Sequence, residues 1–316
     1  MNTNTNTNTK LSMIMNASGC HCRTKAQMDA LVDAGMQTII TKTCTLAPHR
    51  GNPEPVFLEV APNASVNCLG MPNLGYIYYR DLLLDYKSRG IRYIISMDAS
   101  DTPNLLEMLL DYDTYLFHLK EDSRIPTDSL EYVEINLSCP STQCPRIISF
   151  DTVIFARLLE SIRNLELCNI QVGLKLAPFI DKVLLGQIAE LISIYQSPAR
   201  IAYIVCSNSI PNGMVIDTTT SKPVLSIGTG GISGIANKLL GIANVYQFNK
   251  ILASKCVRKY IKIIGCGGIE TGDDIREYIA AGADSVQIGR FLYVNGADCL
   301  ADIIKNVKDK QIKAKL

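Results

Sequence analysis

Residues 261–290 read IKIIGCGGIETGDDIREYIAAGADSVQIGR. An apolar run at 261–264 closes on Gly265-Cys266-Gly267-Gly268, a helical pattern covers 273–281, and a second apolar run at 285–288 closes on Gly289-Arg290. Two short apolar runs joined by a helix read as a βαβ unit whose strands lie parallel and are buried on both faces. Toward the N-terminus the same alternation recurs. Further apolar runs stand at 12–15, 38–40, 93–97, 133–137, 172–175 and 202–206. Helical patterns at 24–34, 76–88, 104–110, 151–164, 182–195 and 235–253 separate most of them, and one at 297–307 follows the last. Thr24 is placed as an N-cap and Gly35 as a stop. A count of eight strands favours closure into a barrel over an open doubly wound sheet. The expected fold is therefore α/β, a (β/α)8 TIM barrel forming a single domain over residues 11–316, with long loops at its C-terminal mouth. Residues 1–10, where Asn and Thr alternate, can bury no apolar surface and are expected to be a disordered tail.

Composition narrows the function. The chain has 316 residues, 47% hydrophobic and 19% charged, enough for one large core. Lys+Arg 31 against Asp+Glu 30 gives a net charge of +1, which argues against a strongly basic nucleic-acid surface. No apolar stretch is long enough for a transmembrane helix, so no membrane partner is expected. The 11 cysteines are an odd count without repeated spacing, and no secretory signal precedes them. That pattern predicts a reducing compartment and a cytoplasmic protein. Cys20-His21-Cys22 is too tightly spaced for a zinc pair, so no metal is expected.

The longest non-periodic stretches, 43–75, 139–150 and 209–234, each follow a predicted strand. In this kind of barrel the loops after strands build the active site, and long loops in compact domains are usually functional. Glycine pairs after strands seven and eight let backbone N–H groups approach a phosphate, and 228–234 adds a third glycine-rich loop. Tight turns at a barrel rim are the plainer reading of each alone. Lys42, Asn136, Lys175, Asn208 and Ser209 fall at or near strand ends. A lysine at the inner mouth is desolvated and needs an anionic partner, so two of them imply an electron-rich ligand such as a reduced flavin or a carboxylate. A lysine snorkelling at the rim is the alternative for either one. Cys139 stands on a mouth loop stiffened by Pro140, where nearby positive charge can make a thiol a base; most cysteines are instead small buried hydrophobes. The run from Asn67 to Gly75 is rich in turn formers and also offers amide donors to a polar substrate.

These residues together resemble a known family. Asn16-Ala17-Ser18-Gly19, Thr41-Lys42-Thr43-Cys44-Thr45, Gly51-Asn52-Pro53-Glu54-Pro55, the 67–75 run, Asn136-Leu137-Ser138-Cys139-Pro140, Cys206-Ser207-Asn208-Ser209 and the Gly265–Gly268 turn occur in the order seen in dihydroorotate dehydrogenases. The resemblance covers residues 13–306 and is to the soluble, fumarate-dependent class 1A. It implies an FMN cofactor across the barrel mouth. Its phosphate would lie near Gly234, Cys266, Gly267, Gly268, Gly289 and Arg290. Its ring would lie near Ala17, Ser18, Gly19, Lys42, Thr43, Asn136, Lys175 and Ser207. Dihydroorotate would stack on the ring, held by Lys42, Asn67, Leu69, Gly70, Met71, Asn136, Ser141, Asn208 and Ser209, with Cys139 as the catalytic base. Fumarate would leave as succinate, and a homodimer is implied.

The chain departs from the family pattern at several points. Ser141 stands where an asparagine usually binds substrate, so its shorter side chain is expected to reach the substrate through water or to bind it poorly. His49 replaces an arginine, Val56 a second basic residue, and Arg290 a small residue whose replacement adds charge near the phosphate. These changes keep two alternatives open: a related FMN barrel acting on another pyrimidine, and a flavin-binding barrel without catalysis.

Overall fold

The computed structural model describes residues 11–19, 21–138, 147–197 and 200–313. The Asn/Thr tract at 1–10 lies outside them, so the expectation of a disordered tail is not addressed. Eight parallel strands form the centre: β1 (Ile14–Asn16), β2 (Thr38–Ile40), β3 (Arg92–Asp98), β4 (Glu131–Asn136), β5 (Ile170–Lys175), β6 (Ile201–Cys206), β7 (Lys262–Cys266) and β8 (Ser285–Ile288). Each falls on one of the predicted apolar runs. Hydrogen bonding runs β1-β8-β7-β6-β5-β4-β3-β2, so the ladder goes round the barrel and stops between β1 and β2.

A side chain bridges that seam. Asn16 Nδ2 donates to the Ile40 carbonyl at 2.6 Å, and the Ile40 N–H donates to Asn16 Oδ1 at 2.9 Å. The amide thus presents to β2 the donor and acceptor that a neighbouring backbone would present. Lower on the seam the Ser12 and Thr38 hydroxyls share a 2.7 Å hydrogen bond.

Strand side chains alternate between two cores, as the period of two requires. Met15, Ile40, Ile94, Tyr203, Val205 and Ile264 fill the barrel interior. Their neighbours, including Ile39, Ile95, Val133, Val172, Ile204, Ile263 and Val286, face outward into the layer of helices. Gly173 is small for a packing reason: a Cβ there would lie 2.0 Å from Tyr203 Cζ, so the glycine makes room for the tyrosine ring inside the barrel.

The helices follow their caps and stripes. Thr24 caps helix Lys25–Asp33 through a reciprocal capping box with Gln27. Asp151 caps Thr152–Asn164, which buries Phe155, Leu158, Leu159 and Ile162, an i, i+3, i+4, i+7 stripe on one face. Two expectations need correction. The helix read at 104–110 runs Thr102–Glu121; its buried stripe continues through Tyr112, Leu116 and Leu119, but Leu110 and Phe117 on the solvent face blur the period. The single helix read at 76–88 is two, Tyr76–Asp81 and Leu83–Ser88.

The larger correction concerns the loops. Parts of 43–75 and 209–234, read as non-periodic, pair into a four-stranded antiparallel sheet in the order Phe57–Ala61, Ala64–Asn67, Gly230–Gly234, Ile210–Gly213. Strands written Gly-Gly-Ile-Ser-Gly and Ile-Pro-Asn-Gly have little intrinsic preference for extended structure. Pairing partners from distant parts of the chain define them. This sheet has its own small core of Val56, Val66, Cys68 and Leu225. Val56, where the family pattern has a basic residue, is therefore a packing residue here.

Candidate active site

The register of the barrel decides what meets at its mouth. Asn136 and Lys175 are ladder partners at the ends of β4 and β5, and Asp98 partners Asn136 from β3. One cavity of about 1080 Å³, counting its open mouth, lies over these strand ends. The accessory sheet contributes Phe57, Ser65, Asn67 and Ser233 to its wall. Ala17, Ser18, Gly19, Lys42, Thr43, Asn67, Leu69, Met71, Asn136, Lys175, Ser207, Asn208, Ser209, Gly234, Cys266, Gly267, Gly268, Gly289 and Arg290 all line it. Gly70 does not; its α-carbon is packed so closely on Asn52 that a Cβ would sit 2.6 Å from Asn52 Cγ. Cys139 and Ser141 lie outside the described residues.

At one end the cavity is built of glycine turns. Gly268 has φ +61°, and a Cβ there would meet Lys238 Cβ at 2.7 Å and the Gly234 carbonyl oxygen at 2.8 Å. Gly234 has φ +91°, caps the 20-residue helix Ile235–Ser254, and leaves no room for a Cβ beside the Asn63 carbonyl. Only glycine suits both positions. Tyr278 Oη donates to the Gly267 carbonyl at 2.8 Å, which fixes that peptide. A helix N-terminus and close-set backbone amides are what a phosphate needs.

Arg290 lines the cavity and is also tied into the scaffold. Its guanidinium pairs with Glu59 and, at 3.2 Å, with Glu270, and it donates to the Pro62 carbonyl at 3.0 Å. Its charge thus holds the accessory sheet to the barrel. Its Nε is buried without a hydrogen-bond partner among the described residues.

At the other end lie the lysines and amides. Lys42 is 6% exposed, and its Nζ donates to the Gly19 carbonyl at 3.2 Å. Lys175 Nζ donates to Gln287 Oε1 at 2.7 Å and lies 3.5 Å from Cys266 Sγ. Asn208 Nδ2 donates to Asn136 Oδ1 at 3.1 Å and to the Ser138 carbonyl at 2.6 Å. With Asn136 Oδ1 so engaged, its Nδ2 is the donor that this cavity-lining amide can offer. Asn67 Nδ2 donates to the Gly231 carbonyl at 3.2 Å, so its Oδ1 is the acceptor it can offer. The wall therefore has a cation, a donor and an acceptor within one cleft.

Of the described cysteines, Cys266 lines the cavity. Cys44, Cys68 and Cys206 are buried and do not line the cavity. Burial pushes the Cys44 and Cys206 thiols up, and it also outweighs the Lys175 charge at Cys266. Burial thus disfavours the thiolate at Cys44, Cys206 and Cys266.

Several lining residues escape a reading of the sequence. Ser65, Ser138 and Ser207 hydroxyls and Asn237 Oδ1 are buried without a hydrogen-bond partner among the described residues. Buried polar groups left open on a cavity wall suit a ligand that supplies the missing partners. A flavin mononucleotide has ring carbonyls, ring nitrogens, a hydroxylated chain and a phosphate to do so, and the residues present fit it. Ser65 and Asn237 carry no sequence signal, because the accessory sheet and a helix turn bring them in.

A parallel (β/α)8 barrel with glycine turns and paired lysines at its C-terminal mouth defines the class: a barrel whose cavity lies at the strand ends. The sequence pattern of the dihydroorotate dehydrogenase family matches residues 2–310, and the chain belongs to that family. It is 34% identical over 299 residues to a Streptococcus equi protein named for dihydroorotate dehydrogenase A (fumarate), covering 93% of this chain and 88% of the relative. It is 33% identical over 304 residues to the dihydroorotate dehydrogenase (fumarate) of Lachancea kluyveri, covering 94% and 89%. A dihydroorotate dehydrogenase from Eimeria tenella, solved in complex with ferulenol, superposes with a TM-score of 0.72 at 17% identity over 96% of this chain and 82% of the other; that likeness concerns the fold.

Proposed function

We propose that this chain oxidises (S)-dihydroorotate to orotate in pyrimidine (UMP) biosynthesis, with FMN as cofactor and fumarate as electron acceptor. The observation that carries this reading is the mouth cavity where Lys42, Lys175, Asn67, Asn136 and the glycine turns converge. Family membership and the fumarate-type relatives support it. FMN, when bound, supplies the acceptor for two electrons and the C6 hydrogen of dihydroorotate, and fumarate carries them away as succinate.

The chain's own residues do the rest. Backbone amides at Gly267, Gly268, Gly289 and Arg290 would hold the phosphate, beside the Gly234 turn. Ala17, Ser18, Gly19 and Thr43 form the wall behind the ring. Lys175 and Cys266 lie at the floor, where the lysine offsets negative charge. Lys42 meets the substrate carboxylate, Asn136 Nδ2 donates to a carbonyl, and Asn67 Oδ1 accepts from a ring N–H. Asn208 and Ser209 complete this ring of amides and hydroxyls, while Leu69 and Met71 cover the substrate and exclude water. Cys139 takes the C5 proton on its Sγ, and Ser141 assists through water. We place the enzyme in the cytoplasm, as one barrel domain per subunit of a homodimer. No described helix is long and apolar enough to cross a membrane.

The test is spectroscopic. Purified protein should be yellow, bleach on anaerobic addition of dihydroorotate, and recover colour with fumarate. Cys139→Ala should keep its colour and lose the bleaching. A yellow protein that never bleaches sinks the substrate assignment, and unchanged bleaching in Cys139→Ala sinks the base.

A further inference from the structure

Behind the mouth, the barrel interior holds a polar chain that apolar packing does not require. Lys175 Nζ donates to Gln287 Oε1 at 2.7 Å, and Gln287 Nε2 donates to Glu134 Oε2 at 2.6 Å. Tyr203 Oη donates to the same carboxylate oxygen at 3.5 Å. Lys175 is 3% exposed, and Glu134, Gln287 and Tyr203 are fully buried. The chain crosses the barrel, since Lys175 is on β5, Gln287 on β8 and Glu134 on β4. Lys175 lines the cavity; Gln287 and Glu134 lie a layer below and do not. Interiors of such barrels are normally filled by layers of branched apolar side chains. A buried carboxylate is costly unless a cation answers it. Here the answer is indirect. An amide has one accepting and one donating end, so the ammonium on one side and the carboxylate on the other fix its orientation.

We propose that Glu134 and Gln287 are positioning residues for Lys175: they hold its ammonium at the cavity floor and set how much of its positive field reaches the ligand there. The inference rests on the flavin reading above and deepens it. The carboxylate opposes the lysine's field from behind. Removing that charge while keeping the hydrogen bond strengthens the field at the floor. Placing a carboxylate directly on Nζ weakens it. Two nearly isosteric substitutions therefore act in opposite directions, which a structural role alone does not produce.

The experiment is potentiometry on the FMN-loaded full chain. Glu134→Gln should move the two-electron reduction potential of the bound flavin to more positive values, because the reduced form carries the extra negative charge. Gln287→Glu should move it to more negative values. A second readout needs no flavin: the acylation rate of Lys175 by a neutral amine reagent, followed by peptide mass spectrometry. The ammonium form is unreactive, so Glu134→Gln should react faster than the natural protein and Gln287→Glu slower. Equal potentials, or shifts of the same sign, overturn the proposal. Should the chain take up no FMN, the flavin reading fails by itself, and the order of acylation rates decides the relay. If Gln287→Glu does not fold, the sign of the Glu134→Gln change is sufficient, and no change there overturns the relay.

Discussion

Asn16→Ala should open the one seam that the backbone ladder leaves unbonded. The substitution removes a donor to the Ile40 carbonyl and an acceptor for the Ile40 N–H. Asn16 and Ile40 are both fully buried, so water cannot take over. A buried backbone group left without a partner costs about 1–3 kcal/mol, and two of them roughly 2–6 kcal/mol. With an unfolding entropy near 2.1 cal/mol/K per residue, a chain of this length loses roughly 1.5 °C of Tm per kcal/mol. The expected drop is therefore roughly 3–9 °C. Differential scanning calorimetry reads it, with Ser12→Ala as comparison. That change breaks a part-buried hydroxyl pair on the same seam and should cost about 1 kcal/mol or less. An Asn16→Ala protein melting within about 1 °C of the natural one would mean that flanking packing, and not the amide, closes the barrel.

Gly268→Ala should weaken FMN binding by about tenfold, since the left-handed φ alone costs an alanine about 1–2 kcal/mol and its Cβ would press on Lys238 and Gly234. Flavin fluorescence quenching measures this, and Gly90→Ala, at φ +71° with open space around it, should leave flavin affinity unchanged. Lys238→Met should destabilise the fold by on the order of 3 kcal/mol, because it leaves the Asp274 carboxylate, 2.5 Å from Lys238 Nζ, without its cation. Burial works against ionised Asp274, but the Lys238 bond and the Glu270 and Thr271 amides outweigh it and hold the carboxyl below its ordinary range. A lowered folded-state value means stabilisation that is present above about pH 4 and lost as pH falls further. The gap in urea midpoint between the natural protein and Lys238→Met should thus be wide at pH 7 and narrow at pH 3.

The barrel was legible because its strands are buried on both faces. Such strands are written almost entirely in apolar residues, and eight runs such as Tyr93 to Met97 stand out against amphipathic helices. The accessory sheet was not legible for the opposite reason. Its strands owe their extended form to partners far away in the chain, such as Asn67 beside Gly231, and local preference carries no trace of that. The site follows the same division. Residues at strand ends, Lys42, Asn136, Lys175 and Asn208, could be placed at the mouth from the strands alone. Phe57, Ser65, Ser233 and Asn237 could not, since the sheet and the helix after it bring them there. One signal was present and unused: Glu134 and Gln287 are polar residues in the middle of otherwise apolar runs, where a buried network is the ordinary explanation.

The charges at the mouth can now be assigned to partners. Three cations line the cavity: Lys42, Lys175 and Arg290. Arg290 is answered by Glu59 and Glu270, so its charge serves the scaffold. Lys175 is answered by Glu134 through the Gln287 amide, so its field is held and partly offset. Lys42 forms no ion pair with a described carboxylate and is only 6% exposed; among the described residues its Nζ donates to the Gly19 carbonyl. A desolvated ammonium in that position is favourable only when an anion joins it. The near-zero net charge of the whole chain is thus compatible with a strongly directed local field. That field is directed where the proposed substrate would bring its carboxylate.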